Sequence, residues 1–176
     1  MLKNRSLYRT LIIVTVILLF VMTFMCDPLK ENYSMLSSDP KGHLLVLVLT
    51  VLLGFDIANV TYIMNRRFFP IALSGPLLSA VFPYTAGSGD MFSGLHEILA
   101  YVSFAVTVMM TFLNLWKYSF YDQARGRKLM QVFMVILTVD AFMFMETMGA
   151  VAIEQFILLS TVVLIHYYLY RQYARL

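Results

Sequence analysis

Six apolar stretches divide the chain, each bounded by polar or charged residues. They cover approximately residues 10–26, 43–64, 68–84, 92–116, 129–147 and 150–170. A helix needs about 20 residues to cross the hydrocarbon core of a bilayer, because each residue advances it by ~1.5 Å. The pattern predicts an all-α integral membrane protein with six transmembrane helices in one bundle. No linker or change of composition divides the chain, so we expect one domain over residues 1–176.

The third stretch is the least regular of the six. It is short for a crossing and contains Pro70, Pro76 and Pro83, a residue type that kinks or ends helices. Periodicity alone leaves open a full crossing, a kinked crossing or a re-entrant segment.

The first stretch has some features of a secretory signal peptide, since basic residues precede its apolar run. Cleavage requires small residues before the cut, but the run ends in Phe24, Met25 and Cys26. We therefore interpret it as an uncleaved first helix.

The distribution of basic residues favours six crossings. With a cytoplasmic amino terminus and six crossings, all of the 13 basic residues except Lys30 and Lys41 fall on the cytoplasmic side, as the positive-inside bias requires. Without the third crossing, Lys117 and the basic cluster at residues 125–128 would lie outside. The sequence therefore predicts that both termini are cytoplasmic.

Composition agrees with a membrane protein. The chain is 60% hydrophobic and 13% charged, with a mean hydropathy of +0.77, whereas soluble domains are about 45–50% apolar and about 25% charged. The single cysteine, Cys26, excludes an intrachain disulfide and a multi-thiolate metal site. The net charge of +3 follows from membrane topology, so we expect no nucleic-acid partner.

Two aspartates lie inside predicted spans, where ionisable groups are costly and are candidates for function. Counted from the expected cytoplasmic ends of their helices, Asp56 and Asp140 lie at about 13 and 17 Å and can share one layer. Asn59 lies on the same helical face as Asp56. We expect the aspartates to face the bundle interior, as a proton- or cation-handling pair or as structural hydrogen-bonding groups. No basic residue lies in any span, so at least one should be protonated.

A second group of candidate residues is expected at the outer face, where short loops bring helix ends together: His43, His96, Glu97, Glu146 and Glu154. Imidazoles and carboxylates can ligate zinc, through His43 and His96 above all, or act as acid and base on a lipid headgroup. Acids in first helical turns are also stabilised by the helix dipole without any site. We expect neither a metal nor another cofactor. His166, close to several tyrosines, is interpreted as part of the interfacial aromatic belt.

Part of the chain resembles a known family. The residues concerned are 73–76, 81–83 with Phe82 before Pro83, 95–101 with His96 at the start of a helix, and Gly149 followed by Glu154 and Gln155. Over roughly residues 70–160 this resembles a bacterial six-helix membrane family of unknown function related to the Frag/DRAM/Sfk group, which is linked with lipid handling. Gln155 departs from the basic residue of that family. The resemblance implies a six-helix bundle with lipid contact and no particular reaction.

Three functions are compatible with these features. We favour a lipid-interacting or accessory protein of the cell membrane, and the short loops favour a bacterial plasma membrane. Its expected partners are membrane lipids, another membrane protein or a second copy of itself. The alternative is a small proton- or cation-coupled transporter or channel that uses Asp56 and Asp140. A further alternative is an enzyme acting on lipid headgroups at the outer His/Glu site, although no recognisable enzymatic motif is present.

Overall fold

The computed structural model describes residues 4–82, 84, 91–147 and 151–173. Within these ranges every regular element is helical. Seven α-helices follow one another: α1 (Arg5–Met25), α2 (Tyr33–Leu36), α3 (Pro40–Met64), α4 (Phe69–Ser74), α5 (Met91–Ser119), α6 (Gln123–Thr147) and α7 (Ala152–Tyr173). Short 3₁₀ helices at Arg66–Phe68 and Pro76–Ala80 flank α4. The predicted all-α class is confirmed.

Five of these helices are long and apolar enough to cross a membrane: α1, α3, α5, α6 and α7. Polar side chains fix where two of them begin. Asn4 Oδ1 accepts hydrogen bonds from the backbone N–H groups of Ser6 and Leu7, and Asp39 caps α3 in the same way just before Pro40. These caps satisfy backbone donors that have no partner within a helix.

The distribution of apolar side chains is inverted relative to a soluble protein. Large hydrophobic residues such as Phe24, Ile98 and Val135 are exposed, whereas Asp56, Asn114 and His166 are buried. Apolar surface on this scale, combined with polar side chains inside, matches a bundle that is surrounded by lipid. The chain is therefore a multi-pass helical membrane protein.

Helices α1 and α7 pack antiparallel. The Tyr8 and Tyr170 ring centroids lie 4.1 Å apart near one end of the pair, and those of Phe20 and Phe156 lie 6.2 Å apart towards the other. We call the end where α1 begins and α7 finishes the proximal end, and the opposite end the distal end. Helix α3 contacts α1, α4, α5 and α7, and α6 packs on α5 and α7.

The third apolar stretch is broken into short helices that run antiparallel to α3 along its length. Arg66 follows directly after the proximal end of α3, the Leu73 carbonyl lies beside Gly54, and the backbone N–H of Tyr84 donates to Ser37 Oγ (2.9 Å) just before α3 begins. Pro70 and Pro76 each stand at the start of a new helical piece, as their missing N–H and fixed φ favour. The stretch thus extends from the proximal to the distal end without being one continuous helix.

The segment between α1 and α3 is bonded to the start of α7. The carbonyls of Glu31 and Pro28 accept from the first backbone N–H groups of α7, at 2.6 and 3.1 Å, and Gln155 Oε1 accepts from Tyr33 N at 2.9 Å. The Tyr33 hydroxyl reaches back to the Leu19 carbonyl of α1 (3.1 Å), and burial raises its pKa to about 12, so it remains a donor. The segment therefore ties α1 to α7 at the distal end.

Helix α6 begins at Gln123, earlier than the predicted start at residue 129. Its buried residues are only Gly126, Phe133 and Asp140, one every second turn, so a narrow seam holds it against the bundle. Counted from this earlier start, Asp140 lies about 26 Å from the proximal end of α6, whereas Asp56 lies about 12 Å from the proximal end of α3.

Some expected features lie outside the described residues. These are Pro83 of the third apolar stretch and Gly149 of the resembling pattern.

Close approach of the broken stretch to α3 generates a stability prediction. A Cβ at Gly54 would lie 2.7 Å from the Leu73 carbonyl oxygen, whereas one at Gly94 would meet nothing within 4 Å. We expect Gly54→Ala to lower the free energy of unfolding by about 1–3 kcal/mol, because backbone must move apart. The control Gly94→Ala should raise it by about 0.5–1 kcal/mol through helix propensity. Denaturant titration in detergent measures both, and equal effects would contradict the close approach.

Candidate functional site

A cavity of about 940 Å³ opens in the distal half of the bundle. Its walls come from α3, the 3₁₀ helix at Pro76–Ala80, α5, α6 and α7. Most of the wall is apolar, with Leu49, Leu53, Leu137, Phe144 and Leu158 among the lining side chains. The cavity can therefore hold a molecule with a substantial hydrophobic part.

The polar end of this cavity holds two buried acids from neighbouring helices. Asp140 of α6 is 7% exposed and Glu154 of α7 is 4% exposed, and both line the cavity. Their carboxyl groups are close enough to interact electrostatically. Glu154 Oε2 also accepts a long hydrogen bond from the Val151 backbone N–H (3.4 Å) at the start of α7, where the helix dipole favours an anion.

His96 contributes a third buried polar group to the cavity wall. Its Nδ1 lies 2.7 Å from the Phe82 carbonyl, and because a carbonyl can only accept, Nδ1 carries the proton. Nε2 has no hydrogen-bond partner among the described residues. The ring of His96 also packs 5.3 Å (centroid to centroid) from that of Tyr84, and both residues line the cavity. In the neutral ring Nε2 is an acceptor.

The outer-face residues predicted from the sequence are partly brought together. His96, Glu97 and Glu154 line the cavity, whereas His43 and Glu146 do not. Within the described ranges, no three His, Cys, Asp or Glu side chains lie close enough to hold a metal ion. The hydrogen-bond acceptors of the cavity are thus spread over its wall, and the described residues do not form a cluster that could ligate a metal ion.

Asp56 belongs to a different polar group, nearer the proximal end. It is completely buried, and its Oδ1 accepts a hydrogen bond from the hydroxyl of Tyr8 on α1. Asn59, one turn further along α3, is also buried. Tyr8 in turn packs on Tyr170 of α7. This group joins α1 to α3 through the Tyr8 hydroxyl and to α7 through the Tyr8 ring.

The expectation that Asp56 and Asp140 share one layer or one cavity is wrong. Asp140 lines the distal cavity, whereas Asp56 is absent from its lining and hydrogen-bonds Tyr8. The physical reason is the early start of α6, which moves Asp140 into the distal half of the bundle. The acid that accompanies Asp140 is Glu154, which the sequence had placed with the outer-face residues.

A further buried network joins α3, α5 and α7. Asn114 Nδ2 donates to Thr61 Oγ1 at 2.9 Å and to His166 Nε2 at 3.2 Å. His166 Nδ1 lies 2.8 Å from the Val162 carbonyl and must donate to it, which leaves Nε2 as the acceptor for Asn114. His166 is fully buried, so its predicted place in the interfacial aromatic belt is wrong.

Sequence reasoning missed Tyr8, Thr61 and Asn114, for different reasons. Asn114 carries a usable signal, because an amide within an apolar stretch is as informative as an aspartate. Thr61 carries little, since threonine can bond its own helix backbone. Tyr8 carries none, because a tyrosine at a helix end is typical of a membrane interface.

Comparisons with models of protein families, with curated proteins and with solved structures find no match to this chain. Membership of the family that residues 70–160 resemble therefore stays a prediction.

The Tyr8–Asp56 bond yields a second stability prediction. Tyr8→Phe removes the hydroxyl that donates to the buried Asp56 carboxyl, so we expect a loss of about 1–3 kcal/mol in unfolding free energy. Asp56→Asn keeps a side-chain acceptor and should cost less. The control Tyr121→Phe, at an exposed tyrosine, should stay within about 0.5 kcal/mol of the parent chain. Thermal unfolding in detergent compares them, and a Tyr8→Phe chain as stable as the control would contradict the assignment.

Proposed function

We propose that this chain is a lipid-binding protein of the cell membrane, one that takes an amphiphile into the distal cavity and serves as a lipid-handling or accessory component. The single observation that carries this is the cavity itself, with a mainly apolar wall and buried acceptors at one end. The short loops support a bacterial plasma membrane as its location.

The position of the cavity favours a ligand that arrives from the membrane. Helices α5 and α6 are in close contact near the proximal end, where a Cβ at Gly126 would lie 2.6 Å from Ser119 Cα. Further towards the distal end both helices line the cavity, α5 through Ala100 and Phe104 and α6 through Ala141 and Phe144. A lipid chain can enter between the two helices while its headgroup stays near the membrane surface.

The polar end fits a headgroup that donates hydrogen bonds. Asp140, Glu154 and His96 Nε2 all offer acceptors, and the Lys30 ammonium lies at the outer rim, 3.4 Å from Asp27. An amine or hydroxyl group would donate hydrogen bonds to these buried acceptors and so offset the cost of their desolvation. This preference for donors distinguishes the cavity from a simple hydrophobic crevice.

The resemblance to the Frag/DRAM/Sfk-related family agrees with this proposal. Two parts of the resembling pattern, Phe82 and His96, are joined by a hydrogen bond beside the cavity. Gln155, the departure from the pattern, bonds Tyr33 N in the segment that closes the distal end.

The alternative function is proton- or cation-coupled transport. The observation that favours it is the buried pair Asp140 and Glu154, since two carboxyls in one apolar site readily share a proton or bind a cation. This pair replaces the pair of Asp56 and Asp140 expected from the sequence.

Filling the cavity tests the lipid proposal. Ala100 of α5 lines the cavity, whereas Ala105 of the same helix is exposed and lies outside the lining. We expect Ala100→Trp to lose most of the phospholipid that the purified parent chain retains, because an indole occupies the space. Ala105→Trp should retain it. Mass spectrometry of lipid bound per chain after extensive detergent washing gives the comparison.

Two results would contradict lipid binding in the cavity. One is equal retention by the Ala100→Trp and Ala105→Trp chains when both elute as folded protein. The other is proton or cation flux into proteoliposomes that Asp140→Asn and Glu154→Gln abolish, which would favour the transporter.

We also propose six crossings with both termini in the cytoplasm. The course of residues 66–84 along α3, from one end to the other, supports a crossing by the broken stretch. Irregular backbone is tolerated in a membrane where protein or a cavity covers it, and the 3₁₀ helix at Pro76–Ala80 packs on α3 and α5. The basic residues at the proximal end support a cytoplasmic location for that end.

Cysteine labelling tests this topology. The parent chain contains one cysteine, Cys26, which is 6% exposed, so it gives a low background. We expect a membrane-impermeant maleimide to label Lys30→Cys in intact cells and Arg127→Cys only after permeabilisation, because Lys30 and Arg127 lie at opposite ends of the bundle and are exposed. Labelling of both from the same side would mean that residues 66–84 do not cross.

A further inference from the structure

A second groove, separate from the distal cavity, lies between α1 and α7 in the proximal half. Its volume is about 810 Å³, and it shares no lining residue with the distal cavity. Helix α1 forms one wall, from Arg5 to Ile17, and α7 forms the other, from Leu164 to Arg171. The groove therefore follows the seam between the first and the last helix.

The proximal end of this groove is strongly basic. Arg5 and Arg9 stand one turn apart on the same face of α1, and Arg171 faces them from the last turn of α7. The Arg171 guanidinium lies 5.9 Å from the centre of the Tyr167 ring, an arrangement that favours a defined position for the side chain. Among the residues that the structure describes, no Asp or Glu lines the groove. Three arginine side chains thus line its proximal end.

The remainder of the groove is apolar and has the length of one leaflet. Ile12, Ile13, Val16 and Ile17 continue along α1 from the arginines, and Leu164 completes the α7 wall. From Arg5 to Ile17 the groove extends for about 18 Å, and half of a bilayer core measures about 15 Å. The arginines consequently stand at headgroup level while the apolar part reaches towards the middle of the bilayer.

We propose that this groove binds one anionic phospholipid from the leaflet at the proximal end. The lipid phosphate lies among Arg5, Arg9 and Arg171, which can bind its oxygens through paired N–H donors. One acyl chain follows the isoleucines of α1. The charge of the groove selects an anionic phospholipid over a zwitterionic one, whose amine would face the same arginines.

A lipid in this position would also hold α1 against α7. The groove is lined by Tyr167 and Tyr170, and Tyr170 packs on the Tyr8 ring that bonds Asp56. The bound lipid therefore covers the outside of the polar contact that joins α1, α3 and α7.

Fluorescence quenching by brominated lipids tests the proposal. Trp116, the single tryptophan, lies on α5 outside the groove, and Ile13 lies within it. In the Trp116→Phe background, Ile13→Trp places a reporter in the groove. We expect brominated phosphatidylglycerol to quench this reporter more strongly than brominated phosphatidylcholine, and Trp116 of the parent chain to show little preference.

Removal of charge shows whether the groove arginines cause the preference. Arg5→Gln with Arg9→Gln should reduce the relative affinity for phosphatidylglycerol by roughly fivefold for each arginine removed. The control removes Arg127 and Lys128, two exposed basic residues near the proximal end of α6 that lie outside the groove, by the same type of change. It should leave the preference intact. Arg171→Gln tests the α7 wall independently, in case the double variant of α1 does not fold.

Several outcomes would overturn the proposal. Equal quenching by the two lipids would show that the groove does not select an anionic lipid. An equal loss in the groove variants and the control would indicate general attraction to a charged surface. Displacement of the lipid by millimolar inorganic phosphate would show a site for free phosphate instead of phospholipid. Retained preference in both the Arg5/Arg9 double variant and Arg171→Gln would remove the arginines from the site.

Discussion

The structure depends on one constraint, namely that a polar side chain buried in an apolar bundle needs a hydrogen-bond partner, which several such groups find on a neighbouring helix. Helix α3 takes part in both of the buried networks that join helices. Its Asp56 bonds Tyr8 of α1, and its Thr61 bonds Asn114 of α5, which in turn bonds His166 of α7. Leucine and valine contacts are largely interchangeable with lipid contacts, so they specify helix order poorly. The hydrogen bonds therefore determine which helices pack beside α3 and which face each of them turns towards it.

The same constraint explains how an irregular stretch can lie inside the bundle. Ser103 Oγ of α5 donates to the Pro76 carbonyl at 3.2 Å, Ser79 Oγ donates to the same carbonyl at 3.0 Å, and Ser74 Oγ donates to the Pro70 carbonyl. Serine hydroxyl groups thus donate to some of the backbone carbonyls that the break in the helix leaves without an N–H partner. Gly54 allows this backbone to come close to α3. The irregular stretch then forms one wall of the distal cavity, which a regular helix with larger side chains would fill.

The helical class and the approximate helix positions were predictable from the sequence because hydrophobic runs are long and the prolines stand out. The partners of the buried groups were not predictable. Asp140 was predicted to share a layer with Asp56 because the two residues had similar estimated depths. The depth of a residue depends on where its helix begins, and the hydrophobic pattern does not show where α6 begins because the first residues of that helix are polar. His166 was misplaced because neighbouring tyrosines suggested an interface. Glu154 and His96 were identified as candidates, while their position on a common cavity with Asp140 required the three-dimensional packing.

The place of α7 has a consequence for how the protein matures during synthesis. This helix leaves the ribosome after the other six, yet it supplies His166 for Asn114, Tyr170 for the Tyr8 ring, and the backbone donors that bond Glu31 and Pro28. Until α7 inserts, the preceding helices form an incomplete bundle. In this bundle Asn114 lacks one hydrogen-bond partner, and the segment between α1 and α3 lacks its hydrogen bonds to α7. Insertion of α7 completes the hydrogen bonds at both ends in one step. A chain that terminated prematurely before α7 would thus expose polar groups to lipid, the type of defect that membrane quality-control proteases recognise.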